Sequence, residues 1–254
     1  MAANILAKRH APTLARFAAS NVLLAFDYDG TLAPIVAKPG KARMRARTRR
    51  LLTEVALRYP CVVISGRSRA DVARRVDMVP AWLVSGNHGV EPWGQSARYA
   101  AQVRKWVRHL DTRLAAHQGV DIEDKRYSVA IHYRRSTNKP GAIRAIEDAV
   151  RSLKGTRMIA GKQSVSLVPE DAPHKGVALE RARRLLGCDT AVYIGDDETD
   201  EDAFAAGPPN RLLSIRVGTT APSRAAYRLK DQRDIDALLE RLLRLRRLRR
   251  KAAG

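Results

Sequence analysis

At 254 residues the chain is long enough for one large or two modest globular domains with a substantial core, and 45% hydrophobic content is ordinary for such folds. Two cysteines exclude a disulfide framework, and no apolar run approaches the ~20 residues of a membrane span, so a cytoplasmic protein with no membrane span is expected. The net charge of +21 suits an anionic small molecule, whereas 5% aromatic content without a recognisable binding module makes nucleic acid an unexpected primary partner.

Residues 1–20 carry basic side chains and no acidic one, but no apolar stretch of signal-peptide length; a short helix leading into the fold is expected. The run Val22-Leu23-Leu24-Ala25-Phe26 then reads as a buried strand. It delivers Asp27-Tyr28-Asp29-Gly30-Thr31-Leu32 into a turn. Residues i and i+2 share a face of an extended chain, so Asp27 and Asp29 can converge on one site. Gly30 permits the turn and Thr31 adds a hydroxyl. A carboxylate so placed suits a nucleophile, and the same residues also suit an ordinary Asx turn. A helix over 48–59, a strand over 61–64, a helix over 68–76 and a strand over 81–84 follow. This alternation predicts parallel strands with right-handed crossovers and ligand chemistry at their carboxyl ends. Ser65 ends one such strand, where its hydroxyl can meet a phosphate oxygen or serve as a turn or capping serine.

From about residue 92 to 173 the pattern changes. A helix over 97–117, strands over 120–123 and 127–133, a helix over 140–153 and strands over 156–160 and 164–168 suit an antiparallel sheet covered by two helices. The expected fold class is therefore α/β, with residues 1–91 and 174–254 as one domain and 92–173 inserted into it. Lys175 opens an amphipathic segment over 177–186, where the helix dipole disfavours a cation unless a phosphate or carboxylate lies near. A second acidic cluster, Asp196-Asp197-Glu198-Thr199-Asp200, follows the apolar strand 191–194. Crowded carboxylates call for a hard divalent cation, although acidic residues opening a helix give a competing account. A strand over 212–217 comes next. Ile235, Leu238, Leu239, Leu242 and Leu245 recur at helical spacing, and residues 241–254 form a basic end that suits a solvated arginine-rich surface or a polyanion contact.

Together these segments resemble the haloacid dehalogenase superfamily and, within it, the trehalose-6-phosphate phosphatase family. Asp27-x-Asp29, Ser65, Lys175 in His174-Lys175-Gly176, and Gly195-Asp196-Asp197-x-x-Asp200 match the superfamily's four motifs in order. The resemblance implies a Rossmann-like core with a mainly parallel sheet and an inserted α/β cap of C2B type with an antiparallel sheet. It implies a magnesium (Mg2+)-dependent phosphatase in which Asp27 attacks phosphorus and Asp29 protonates the sugar oxygen, then activates water. Ser65 and Lys175 would hold the phosphoryl group. Mg2+ would sit on Asp27, the Asp29 carbonyl and Asp196, with Asp200 and Asp197 ordering that shell. Gly66, Arg67, Asn87 and His88 would line the cleft on the phosphate side. Glu123, Lys125 and Arg134 match the family's sugar contacts, with cross-strand ion pairs as the alternative. One departure stands out. In 161–169 this chain has Ser166 where the family carries Glu, and Val168 where it carries Arg. Ser166 takes the place of a sugar contact, and sucrose phosphate or mannosylglycerate phosphate stays open beside trehalose 6-phosphate as substrate. A non-catalytic binding protein is the competing class, against which the presence of Asp27, Asp29, Lys175 and Asp196 argues.

Overall fold

Five consecutive apolar residues have no polar face to show water, and the strand formed by Val22–Phe26 is buried along its whole length. The computed structural model, which describes residues 2–93, 97–161, 163–218 and 222–252, builds two sheets around such runs. In chain order the elements are β1 (Ala3–Asn4), α1 (Ala11–Ala19), β2 (Val22–Phe26), α2 (Ala46–Ala56), β3 (Cys61–Ile64), α3 (Arg69–Arg75) and β4 (Leu83–Ser85). Then come α4 (Ala97–Leu114), β5 (Asp121–Asp124), β6 (Val129–His132), α5 (Lys139–Arg151), β7 (Thr156–Gly161) and β8 (Ser164–Pro169). The chain finishes with α6 (Lys175–Leu185), β9 (Thr190–Gly195), α7 (Glu201–Phe204), β10 (Leu212–Val217), β11 (Tyr227–Leu229) and α8 (Asp234–Ala252).

The chain divides into two compact units, Met1–Gly89 with His174–Gly254, and Val90–Pro173. The first holds a seven-stranded sheet in the order β1-β11-β10-β9-β2-β3-β4, with every pairing parallel. Its core joins the sheet to the apolar stripe of α8, where Ile235, Leu238, Leu239 and Leu242 are fully buried. Leu245, on the same stripe, is only partly buried, and Leu248 is exposed. The basic end is helical to Ala252 rather than extended, and residues 253–254 lie outside the described residues. Two of its arginines brace the core instead of facing outward. Arg241 donates to the Leu6 carbonyl, and Arg246 donates to that of Ala18 while lying over the Tyr59 ring.

The second unit is a four-stranded antiparallel sheet in the order β5-β6-β8-β7. One face carries Val129, Ile131 and Leu167, packed with Val103, Trp106 and Leu110 of α4 and with Ile146, Ala149 and Val150 of α5.

Some boundaries differ from the sequence reading. The leading helix is preceded by the two-residue edge strand β1, and β11 has three residues; strands this short carry no readable period. The strand expected over 127–133 shrinks to Val129–His132. Lys125 to Ser128 turn back on themselves, with Arg126 at φ 71° and the Tyr127 N–H donating to the Lys125 carbonyl. Arg134 lies in a turn past the C-terminal end of this strand.

Candidate active site

The register of the parallel sheet brings distant motifs to one edge. Phe26 pairs with Val63 on one side and Ile194 on the other, so the residues that follow each strand emerge together. Asp27, Ser65, Lys175 and Asp200 are all buried. Lys175, the first residue of α6, places Nζ 3.1 Å from Asp27 Oδ1 and 2.7 Å from Asp200 Oδ1. The cation at a helix start is thus matched by two carboxylates.

Asp200 is held by four donors. Its Oδ1 accepts from Lys175 and from the Tyr193 hydroxyl at 2.6 Å, and its Oδ2 accepts from the backbone N–H groups of Asp196 and Asp197, both at 2.9 Å. Asp197 caps the short turn Glu198–Asp200 through the Glu198 N–H, and Glu198 and Asp200 stand in its first turn, as the helix-opening account has it. Asp196 Oδ1 accepts a 3.3 Å hydrogen bond from Thr31. Carboxylate oxygens of Asp27, Asp196 and Asp200 all lie within 4.8 Å of one another.

Such crowding has an electrostatic signature. Burial pushes the Asp27 carboxyl well above its ordinary range; Lys175 opposes this, while Asp200, Asp196 and Asp29 add to it. Burial, with Asp200 and Asp197, likewise pushes Asp196 up to about 8. For Lys175, burial works against the charge, but Asp200 and Asp27 outweigh it and raise its pKa. One ammonium therefore leaves the acidic groups under-compensated. That is the condition a divalent cation relieves.

Two glycines make room for this cluster. A Cβ on Gly30, which has φ +81°, would lie 2.0 Å from Asp196 Oδ2, and one on Gly195 would lie 2.2 Å from the Asp200 carboxyl carbon. Beside them, Ser65 closes a turn in which its Oγ accepts from the Arg67 N–H and its carbonyl accepts from the His88 N–H. Asn87 and His88 take positive φ values of 50° and 58°, uncommon for side-chain-bearing residues, and the His88 ring lies where a side chain on Gly66 would stand. Arg67 points at acidic groups. Its Nε and Nη2 donate to Asp29 Oδ2 and Oδ1 at 2.6 and 2.7 Å, and its Nη1 donates to Asp71 at 2.8 Å.

In the second unit, the strand pairing sets Glu123, Ala130, Ser166 and Ile159 in one cross-strand row, with His132 and Ser164 in the next row on the same face. Alternation puts this polar face opposite the one packed on the helices. Glu123 Oε2 lies 2.9 Å from His132 Nε2 and 3.9 Å from Lys125 Nζ, so the ion-pair account also describes these residues. Val168 is fully buried, and Lys162 lies outside the described residues.

Sequence reasoning missed Tyr193, whose hydroxyl is hidden inside an apolar strand run, and Asp71. Asp71 lies in the first turn of α3, whose cap is Ser68 and not Ser65, as the alternative account of Ser65 had it: Ser68 Oγ accepts from the Asp71 N–H. Both cysteines are buried free thiols. Among the described residues no helix is long and apolar enough to cross a membrane.

The geometry has counterparts. A family model described as trehalose-phosphatase matches residues 25–233. The trehalose-phosphate phosphatase of Mycolicibacterium paratuberculosis is 39% identical over 209 residues, covering 76% of this chain and 53% of that protein. Trehalose-phosphate phosphatase B of Arabidopsis thaliana is 28% identical over 89% of this chain and 67% of its own length. The solved C-terminal domain of C. albicans trehalose-6-phosphate phosphatase superposes with a TM-score of 0.79 at 22% identity, covering 96% of this chain and 98% of that one; at that identity the likeness is one of fold. The chain spans about half the length of the mycobacterial relative it matches.

Proposed function

Because the chain belongs to the trehalose-phosphatase family, we propose that it hydrolyses trehalose 6-phosphate to trehalose and phosphate through an aspartyl-phosphate on Asp27. The observation that carries this reading is the buried approach of Lys175 Nζ to the Asp27 carboxylate, 3.1 Å, at the carboxyl edge of a parallel sheet. A fixed ammonium draws an anionic phosphoryl group toward a carboxylate that can attack it. Asp27 Oδ attacks phosphorus in line. The bond from phosphorus to the sugar oxygen breaks, and that oxygen leaves with the electron pair and takes a proton from Asp29. Water then attacks the aspartyl-phosphate, gives its proton to Asp29, and frees the Asp27 carboxylate. Ser65 and Lys175 steady the phosphoryl oxygens, and Gly66, Asn87 and His88 shape the turn around Ser65.

The under-compensated carboxylates fit a hard divalent cation, and we take it to be Mg2+. Asp27 and Asp196 would hold it, with the Asp29 main-chain carbonyl that the family resemblance implies. When bound it offsets negative charge on the phosphoryl oxygens. Asp200 acts as support rather than ligand, since Lys175, Tyr193 and two backbone N–H groups already occupy its oxygens.

Glu123, Lys125, Arg134 and Ser166 are the sugar contacts in this reading, offering the acceptors and donors that a hydroxyl-rich ligand needs. Ser166 and the buried Val168 favour a second reading, the same chemistry on another sugar phosphate such as sucrose phosphate or mannosylglycerate phosphate. The two free cysteines accord with a reducing, cytoplasmic setting. Phosphate release from a panel of these sugar phosphates, with Mg2+ and with a chelator, tests the assignment. Trehalose 6-phosphate should give the highest kcat/KM, and the chelator should abolish turnover. If trehalose 6-phosphate were among the poorest substrates, the assignment would fall.

A further inference from the structure

Arg67 sits beside Ser65, where a phosphate contact was the sequence expectation, yet its guanidinium spans two carboxylates. Nε and Nη2 engage both oxygens of Asp29, while Nη1 engages Asp71 Oδ2. The far end of this chain of contacts is fixed. The same Asp71 oxygen accepts from Arg75 Nε at 3.1 Å, and Arg75 Nη1 donates to the buried Ala42 carbonyl at 2.6 Å. The fully buried Tyr28 ring lies 5.8 Å from the Arg67 guanidinium carbon and 5.9 Å from that of Arg75. Burial would raise the Asp71 pKa, but hydrogen bonds from Arg75 and Arg67 hold it below its ordinary value, so Asp71 is an anionic anchor. A bidentate guanidinium fixes the plane of a carboxylate and leaves further lone pairs on both oxygens for a proton in transit.

We propose that Asp71, acting through Arg67, is a positioning residue that holds the Asp29 carboxylate in the orientation from which it exchanges a proton with the leaving sugar oxygen. The proposal rests on the aspartyl-phosphate reading above. It separates Arg67 from a simple phosphate contact: in kcat/KM, which is set before water attacks the aspartyl-phosphate, help with proton transfer matters only when the leaving group needs a proton.

The test compares kcat/KM for trehalose 6-phosphate, an alkyl phosphate with a poor leaving group, with that for p-nitrophenyl phosphate, whose phenolate departs unprotonated. Asp71→Asn keeps the side-chain shape and should lower kcat/KM about tenfold on trehalose 6-phosphate and less than about twofold on p-nitrophenyl phosphate. Arg67→Lys cannot grip both Asp29 oxygens and Asp71, and should lose about 10²-fold and less than about threefold respectively. In an Asp29→Asn background neither change should add a comparable loss. Equal losses on both substrates, or no loss with Asp71→Asn, overturn the proposal. Wild-type protein that releases phosphate from p-nitrophenyl phosphate but from no sugar phosphate would instead sink the functional reading on which the proposal stands.

Discussion

The acidic cluster at the parallel sheet edge and the polar face of the antiparallel sheet are built on opposite terms. In the first, Asp27, Lys175 and Asp200 are buried together and Asp200 alone takes four donors, so removing the Lys175 ammonium leaves two carboxylates without their cation away from water. In the second, Glu123 and His132 sit half in solvent on a sheet whose stability comes from the other face. In the proposed reading, the chemistry is held by burial, whereas recognition is carried by groups that can be exchanged at little structural cost. On that reading a serine at 166, where the resemblance implies a carboxylate, costs the strand that carries it little.

Several substitutions break this contrast at its strong end. Asp27→Asn should reduce phosphate release by at least ~10⁴-fold while leaving the circular dichroism spectrum unchanged, since it removes the proposed nucleophile and keeps the shape. Lys175→Met should do more than slow turnover. It leaves Asp27 and Asp200 buried without their cation, and urea unfolding should show a loss of about 3–5 kcal/mol.

The metal-free protein should also respond to pH. A carboxyl raised from 3.8 to about 8, as in Asp196, favours the protonated form in the fold. Its stabilising effect is therefore full below the unfolded value and is lost as pH rises through about 8. The melting temperature in chelator should fall across that interval, Mg2+ should restore it most at the alkaline end, and Asp196→Asn should flatten the slope. At the weak end, Glu123→Ala should raise KM for the sugar phosphate about tenfold and change unfolding free energy by less than about 0.5 kcal/mol. A stability loss comparable to that of Lys175→Met would erase the distinction between the two regions.

Legibility in the sequence followed the same divide. The buried strand Val22–Phe26 and the acidic turn after it announce themselves because a continuous apolar run has one physical solution, and the carboxylates stand at its end. Lys175 was readable as a cation out of place at a helix start, but its partners were not, since Asp27 and Asp200 meet it only through sheet register. The destination of Arg67 was equally hidden: an arginine after Ser65-Gly66 has no local sign that it will grip Asp29, 38 residues earlier. In the second unit, alternation separates the packed face from the polar one, yet the ends of β5 and β6 were misjudged by a few residues because Arg126 reverses the chain at a positive φ.

The hydrogen atom at Gly30 sets a volume limit for the acidic cluster at the sheet edge. Any larger substituent there would occupy space already taken by Asp196 Oδ2, 2.0 Å away, on a backbone whose φ of +81° itself disfavours side chains. A single methyl group, added at a residue with no chemistry of its own, should thus displace Asp196, which follows the neighbouring strand. Gly30→Ala therefore keeps every acid of the cluster and leaves Asp196 without its place beside the others.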